Sequence, residues 1–214
     1  MQFDIVTIFP EVIEPYTNAS ILGRGQKDDA IDINTHNLRD WTDDKHNTVD
    51  DTPYGGGPGM VMKVEPFDKA VEELRGENAR VVLTSARGKQ FKQADASRLG
   101  EYDQLIFLCG RYEGVDARVG EHIADEMLSI GDYVLTGGEL PAMVMTDAIA
   151  RLVPGVLGKE ASLEMESHSE EGVIEYPQYT KPREYKGWEV PDILLSGDHG
   201  AVDEWRKGQV QERL

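Results

Sequence analysis

The chain has 214 residues, enough for one large domain or a domain with a small appendage, and no apolar run approaches a membrane span. Its 40 acidic against 22 basic residues leave a formal charge of −18, which repels polyanions at low salt, so composition alone argues against a nucleic-acid partner. The start, Met1-Gln2-Phe3-Asp4-Ile5-Val6, has no basic region ahead of an apolar core, and the single cysteine, Cys109, excludes an internal disulfide. Both features predict a cytoplasmic protein.

Phe3 to Phe9 reads as a buried strand ended by Pro10, and Ala30 to Asn37 as a second strand with Ile31 and Ile33 alternating with polar residues. Residues 39–60 are polar, then glycine-rich, and are expected to form one long loop. Val64, Phe67, Val71 and Leu74 recur at helical spacing, predicting a helix from Lys63 to Arg75 with Pro66 in its first turn. Val81-Val82-Leu83 is a short strand, followed by a loop from Thr84 to Lys89 and a helical stretch through Leu99. Leu105 to Cys109 is the clearest buried strand. Val115 to Ile123 follows as a helix, Glu126 to Ile130 as a strand, and Glu139 to Val153 as a helix with Pro141 near its start. Strands alternating with helices predict an α/β fold with a mostly parallel sheet over residues 1–157. Residues 158–172 are polar and charged, a mobile linker. Residues 173–214 make a small region holding one amphipathic helix, Asp198 to Gln211, with Val202 and Trp205.

The usual phosphate cradles are missing: neither G-x-x-x-x-G-K-[ST] nor G-x-G-x-x-G occurs. The five histidines are scattered without cysteine partners, and there is no G-x-S-x-G elbow, so zinc, kinase, hydrolase and dehydrogenase chemistry all lose weight. What the chain does carry is three glycine-rich bends: Val49-Asp50-Asp51-Thr52-Pro53-Tyr54-Gly55-Gly56-Gly57-Pro58-Gly59-Met60, Leu108-Cys109-Gly110-Arg111-Tyr112-Glu113-Gly114, and Ser129-Ile130-Gly131-Asp132-Tyr133-Val134-Leu135-Thr136-Gly137-Gly138-Glu139-Leu140-Pro141. Bends of this kind behind apolar strands predict loops converging at one sheet edge on a ligand held by backbone groups. Taken singly, Gly110 and Gly131 read equally well as residues that shape strand ends.

These runs, with Pro154-Gly155-Val156-Leu157-Gly158 and Glu175-Tyr176-Pro177-Gln178-Tyr179-Thr180-Lys181-Pro182, closely resemble the bacterial-type tRNA (guanine-N1)-methyltransferases of the SPOUT superfamily, in order and over essentially the whole chain. The resemblance implies a trefoil-knotted α/β domain and a homodimer whose active site is shared between subunits. It implies methyl transfer from S-adenosyl-L-methionine to N1 of the guanine 3′ of the anticodon, position 37 of tRNA. It also implies magnesium, for which the sequence has no dedicated site. By the same resemblance Ser85, Gly110, Tyr112, Glu113, Ile130, Gly131, Asp132, Tyr133, Val134, Leu135, Gly138 and Pro141 line the cofactor site. Asp50, Tyr54, Gly55 and Gly59 then contact the target guanine and its neighbour.

Losing the N1 proton places negative charge towards O6 of guanine, so the chemistry wants a carboxylate base and a cation. Arg151 is the candidate cation; alone, it reads as a charge complementing a helix C-terminus. Glu166 is the candidate base, in Glu166-Ser167-His168 where the family usually has Asp-Ser-Phe, with Glu164, Glu170 and Glu171 close by. Thr52 stands where the family commonly has arginine, and the chain stops at Leu214 where relatives continue through more helix. The alternatives are a SPOUT enzyme acting on another RNA position, a non-catalytic cofactor- or RNA-binding relative, and, more distantly, an NAD-binding oxidoreductase.

Overall fold

The computed structural model describes residues 1–157 and 173–212. The chain divides into two compact units, Met1–Gly158 and Lys159–Leu214. In the first, β1 (Gln2–Thr7) leads through two short helices, α1 (Glu14–Thr17) and α2 (Ser20–Lys27), to β2 (Asp32–Asn37). A short antiparallel pair, β3 (Asp50–Asp51) and β4 (Val61–Met62), precedes α3 (Val64–Leu74). Then come β5 (Ala79–Gln90), α4 (Gln93–Leu99), β6 (Gln104–Cys109), β7 (Glu126–Ser129) and α5 (Glu139–Ala150). The main sheet has the order β2-β1-β6-β5-β7 and all its pairings are parallel.

Alternation along the strands splits the core in two. Phe3, Ile5, Val82, Leu105 and Phe107 face one side, where they cluster with Leu22 of α2, Leu99 of α4 and Ile149 of α5. Val6, Val81, Leu83, Ile106 and Leu108 face the other and cluster with Phe67, Ala70 and Val71 of α3. A parallel sheet buried on both faces needs apolar side chains at successive positions, which is why Leu105 to Cys109 reads as an unbroken apolar run. The charged side chain buried in the sheet is Asp4, 1% exposed, which accepts hydrogen bonds from Gln104 Nε2 (2.7 Å) and Gln2 Nε2 (2.8 Å) and pairs with His36 Nε2 at 2.8 Å. Such full satisfaction is what keeps a buried carboxylate tolerable.

Four elements differ from expectation. Strand β5 runs for 12 residues instead of three, because its pairing with β7 breaks after Thr84 and resumes at Lys89. The expected loop is therefore a bulge inside a strand. Gly88, just before pairing resumes, leaves no room for a side chain: a Cβ there would lie 2.5 Å from the backbone of Met127 and Leu128. The expected helix at Val115 to Ile123 is one wide π-type turn, Val119–Ile123. Helices α1 and α2 carried no signal in the sequence: α2 packs through Leu22, Gly23 and Gly25, so its inward face has no apolar period.

The second unit holds two small strand pairs. Strand β8 (Val173–Ile174) pairs with β11 (Gln211–Glu212), and β9 (Glu184–Tyr185) pairs with β10 (Trp188–Glu189) across a turn in which Lys186 and Gly187 both have positive φ. Its helix α6 (His199–Gln209) starts at Asp198, whose side chain accepts a hydrogen bond from the Ala201 N–H. Trp205 of α6 meets the Tyr179 ring at 6.4 Å.

An ion network braces the β5–β7 edge. Asp95 accepts from Lys89 Nζ (2.8 Å), the Lys92 N–H (3.1 Å) and Arg98 (3.3 Å), while Glu126 accepts from Arg98 and Arg80. Burial opposes the Asp95 charge, but those hydrogen bonds outweigh it and hold the carboxyl below its ordinary value of 3.8. A depressed folded-state pKa contributes stability that is complete above the ordinary value and is lost as pH falls through the folded one. The urea midpoint is therefore expected to fall as pH drops below about 4. Asp95→Asn should lower the neutral-pH plateau and flatten that acid limb, a comparison made by urea titration between pH 7 and pH 3.

Candidate active site

The loops after β5, β6 and β7 all leave the same edge of the sheet. They enclose a cavity of about 340 Å³ at the C-terminal ends of the strands, the usual ligand position in open parallel α/β sheets. The β5 bulge supplies Ser85, Ala86 and Arg87 to the wall. The β6 loop supplies Gly110 to Ala117, and the β7 loop supplies Ile130, Gly131 and Tyr133 to Gly138, with Pro141 from the first turn of α5. Eleven of the twelve expected cofactor residues thus line one cavity; Asp132 is exposed and is not among the lining residues.

Close backbone approach explains the glycines. A Cβ on Gly138 would sit 2.0 Å from Thr84 Oγ1 and 2.9 Å from both Cys109 Cα and Gly110 N, while its own N–H donates to Gly110 O at 2.9 Å. Gly131 has φ of 153°, and a Cβ there would meet the Tyr133 ring at 2.5 Å. The third glycine bend reaches the same rim. Glu113 N–H donates to Met60 O (3.0 Å) and Met62 N–H to Gly114 O (2.9 Å), and the missing Gly59 Cβ would lie 2.5 Å from Glu113. Asp50 sits in β3 opposite Met62, whereas Tyr54 and Gly55 stand at the solvent-exposed tip.

Two residues inside the glycine motifs do work that the sequence reading missed. Arg111 Nε donates to both oxygens of Glu139, at 3.0 and 2.9 Å, and the Thr7 hydroxyl donates to Glu139 Oε1 at 2.6 Å. Glu139 is 1% exposed, and the Arg111 guanidinium lies 4.7 Å from the Phe9 ring centroid. This pair fixes the β6 loop to the start of α5. The signal available was an opposite charge in each of two neighbouring glycine runs.

The cavity walls suit an adenosyl sulfonium. Leu83, Val115, Ile130, Leu135 and Pro141 give an apolar slot, and Gly110 to Gly114 and Gly131 to Gly138 offer successive backbone groups. Its charged lining comprises Glu113, Asp116 and Glu121 against Arg87 and Arg111, the latter already paired to Glu139. Hydrogen bonds from Arg118 hold Asp116 down to about 2, so its carboxylate is ionised throughout the neutral range. Cys109 lies beneath the cavity, fully buried, and burial pushes its thiol well above the ordinary range.

Arg151 lies elsewhere. It caps the C-terminus of α5 and lines a second hollow of about 320 Å³ with Tyr16, Ala19, Ser20, Ile21, Leu22 and Asp147. Pro141 and Arg151 are ten residues apart, or about 15 Å along the helix axis. Glu166, the expected base, falls outside the described residues. Among the described residues no helix is long and apolar enough to cross a membrane.

The family model for tRNA (Guanine-1)-methyltransferase TrmD matches residues 1–214. The chain belongs to that family. Among its relatives, the tRNA (guanine-N(1)-)-methyltransferase of Staphylococcus epidermidis is 52% identical over 210 residues, covering 98% of this chain and 85% of the relative. The protein of the same name from Carboxydothermus hydrogenoformans is 53% identical over 209 residues, covering 98% and 82%. That of Staphylococcus aureus strain MRSA252 is 52% identical over 210 residues.

Removing one partner of a buried ion pair leaves an uncompensated charge and costs about 3–5 kcal/mol, whereas replacing both by apolar groups is often close to neutral. Arg111→Ala should therefore lower unfolding stability by about that amount, and Arg111→Met with Glu139→Leu should recover most of it, as read from denaturant midpoints.

Proposed function

We propose that this protein transfers a methyl group from S-adenosyl-L-methionine to N1 of a guanine in tRNA, the one 3′ of the anticodon at position 37, in the cytoplasm. The observation that carries the proposal is the cavity itself. The glycine motifs that mark the family build its walls, at a strand edge with apolar side chains, backbone donors and acceptors, and a slight excess of carboxylates. When bound there, the donor supplies an electrophilic methyl carbon. Ser85, Gly110, Tyr112, Glu113, Ile130, Gly131, Tyr133, Val134, Leu135, Gly138 and Pro141 would hold it. Asp50 and the Tyr54, Gly55 and Gly59 loop would meet the target guanine and its 5′ neighbour from the adjoining rim.

Guanine N1 carries a proton and is a poor nucleophile until that proton leaves. Glu166 accepts it in this scheme, and the Arg151 guanidinium neutralises the charge that develops on O6. Arg151 stands about 15 Å along α5 from the cavity of its own subunit, farther than one arginine side chain extends. It meets the donor only if a second copy brings it there. An apolar patch supports such a pairing: Leu140 and Val144 stand four residues apart on α5 and are 53% and 48% exposed, and the exposed Tyr16 is tied to the same helix through Asp147. A homodimer with shared active sites follows, and the knot belongs to the same expectation.

Two experiments test this. In a labelled-methyl assay on tRNA with guanine or adenine at the target position, only the guanine form should be modified, and Arg151→Ala and Glu166→Gln should each lower turnover about a hundredfold or more. Retained turnover in Glu166→Gln would move the base to another of the neighbouring carboxylates. Val144→Glu places a charge in the exposed α5 patch. Sedimentation should then report a monomer with intact circular dichroism, and methyl transfer should vanish with it. A Val144→Glu monomer that turns over at the wild-type rate would refute the shared site.

A further inference from the structure

Arg151 shares its hollow with two polar side chains that have no part in the chemistry set out above. Asp147 precedes it by four residues on α5, so the two lie on one helix face with Cβ atoms about 5–6 Å apart. Both line the hollow, and both are half-buried. The Tyr16 hydroxyl, arriving from α1, donates a hydrogen bond to Asp147 Oδ2. That bond, with burial and the carboxylate charge, raises the Tyr16 phenol above its ordinary range, so it stays a donor at neutral pH.

The wall opposite is built under strain. Ser20 lines the hollow with φ of 49°, a left-handed conformation that a serine adopts at a cost. Close by, the missing Cβ of Gly23 would fall 2.3 Å from Asn18 O, so the start of α2 packs tightly on the turn before it. A loose surface dent would have no reason to store such a conformation.

We infer that Asp147, fixed by Tyr16, is a positioning residue that sets the Arg151 guanidinium for O6 of the target guanine. The inference rests on the role of Arg151 proposed above. Among the described residues Asp147 and Arg151 are not bonded to each other; with Oδ2 held by Tyr16, Oδ1 is the oxygen left to take a guanidinium N–H once the substrate draws Arg151 in. A carboxylate clamped at one side orients an arginine better than a freely rotating one, because less side-chain freedom is lost when the substrate arrives.

A guanidinium set against O6 also favours the N1-deprotonated base, so misplacing it moves that ionisation to higher pH. A merely structural tie between α1 and α5 would leave the pH profile alone. The experiment is single-turnover methyl transfer from pH 6 to 10 with Tyr16→Phe, Asp147→Asn, Asp147→Glu and Arg151→Ala. It is paired with thermal midpoints and with donor affinity by calorimetry. Asp147→Asn should slow transfer about tenfold or more and shift the alkaline limb upward by about one pH unit, and Tyr16→Phe should do so about threefold. Asp147→Glu should recover part of the rate, with donor affinity unchanged throughout. Wild-type rates in Tyr16→Phe and Asp147→Asn beside an inactive Arg151→Ala would overturn the positioning role alone. So would rate losses that follow thermal midpoints with an unmoved limb. An active Arg151→Ala would instead overturn the O6 role, and the positioning role with it.

Discussion

A single buried carboxylate governs how the ligand loops are arranged. Glu139 opens α5 at the edge of the sheet, where the helix dipole favours its charge, and it receives Thr7 from the end of β1 and Arg111 from the loop after β6. Three segments far apart in sequence are thereby fixed at one point. Gly137 has to be glycine for the same reason, since a Cβ there would lie 2.2 Å from Arg111 Nε and 2.5 Å from Glu139 Oε2. The cavity is consequently shaped before any ligand arrives, which spares the binding event the entropy of ordering two glycine-rich loops.

That arrangement also explains how so acidic a chain can serve a nucleic acid. The cofactor walls rely on backbone groups and apolar side chains, so net charge matters little to them. The contest is confined to the polyanion, and there local composition differs from the average: Lys181, Arg183 and Lys186 are exposed within six residues of the second unit. At about 0.15 M salt the Debye length is about 8 Å, so a short basic stretch acts largely by itself and distant carboxylates are screened.

Legibility followed the physics of each segment. The strand Gln104–Cys109 and the helix Val64–Leu74 were plain in the sequence because burial on two faces, or one, imprints a period on the side chains. The helices between Glu14 and Lys27 were not, since α2 packs through glycines that carry no hydropathy signal. The bulge after Thr84 was read as a loop because its residues turn away from the ladder to line the cavity. Among site residues, those in glycine motifs were found together because close backbone approach leaves a mark in the sequence. Arg151 was singled out by resemblance, and no spacing rule could reveal that the end of α5 lines a different hollow from the one its first turn helps to close. The Arg111–Glu139 pair was passed over because opposite charges 28 residues apart look like two solvated surface residues until the fold joins them.

Cys109, the one thiol in the chain, is enclosed at the end of β6 beneath Gly138 and stays protonated. Alkylating and maleimide reagents need a reachable thiolate, so the native protein offers them a silent background. A cysteine engineered at an exposed position such as Tyr54 or Val134 would then take a fluorophore or spin label alone, giving a direct readout of how each glycine bend moves when its ligand docks.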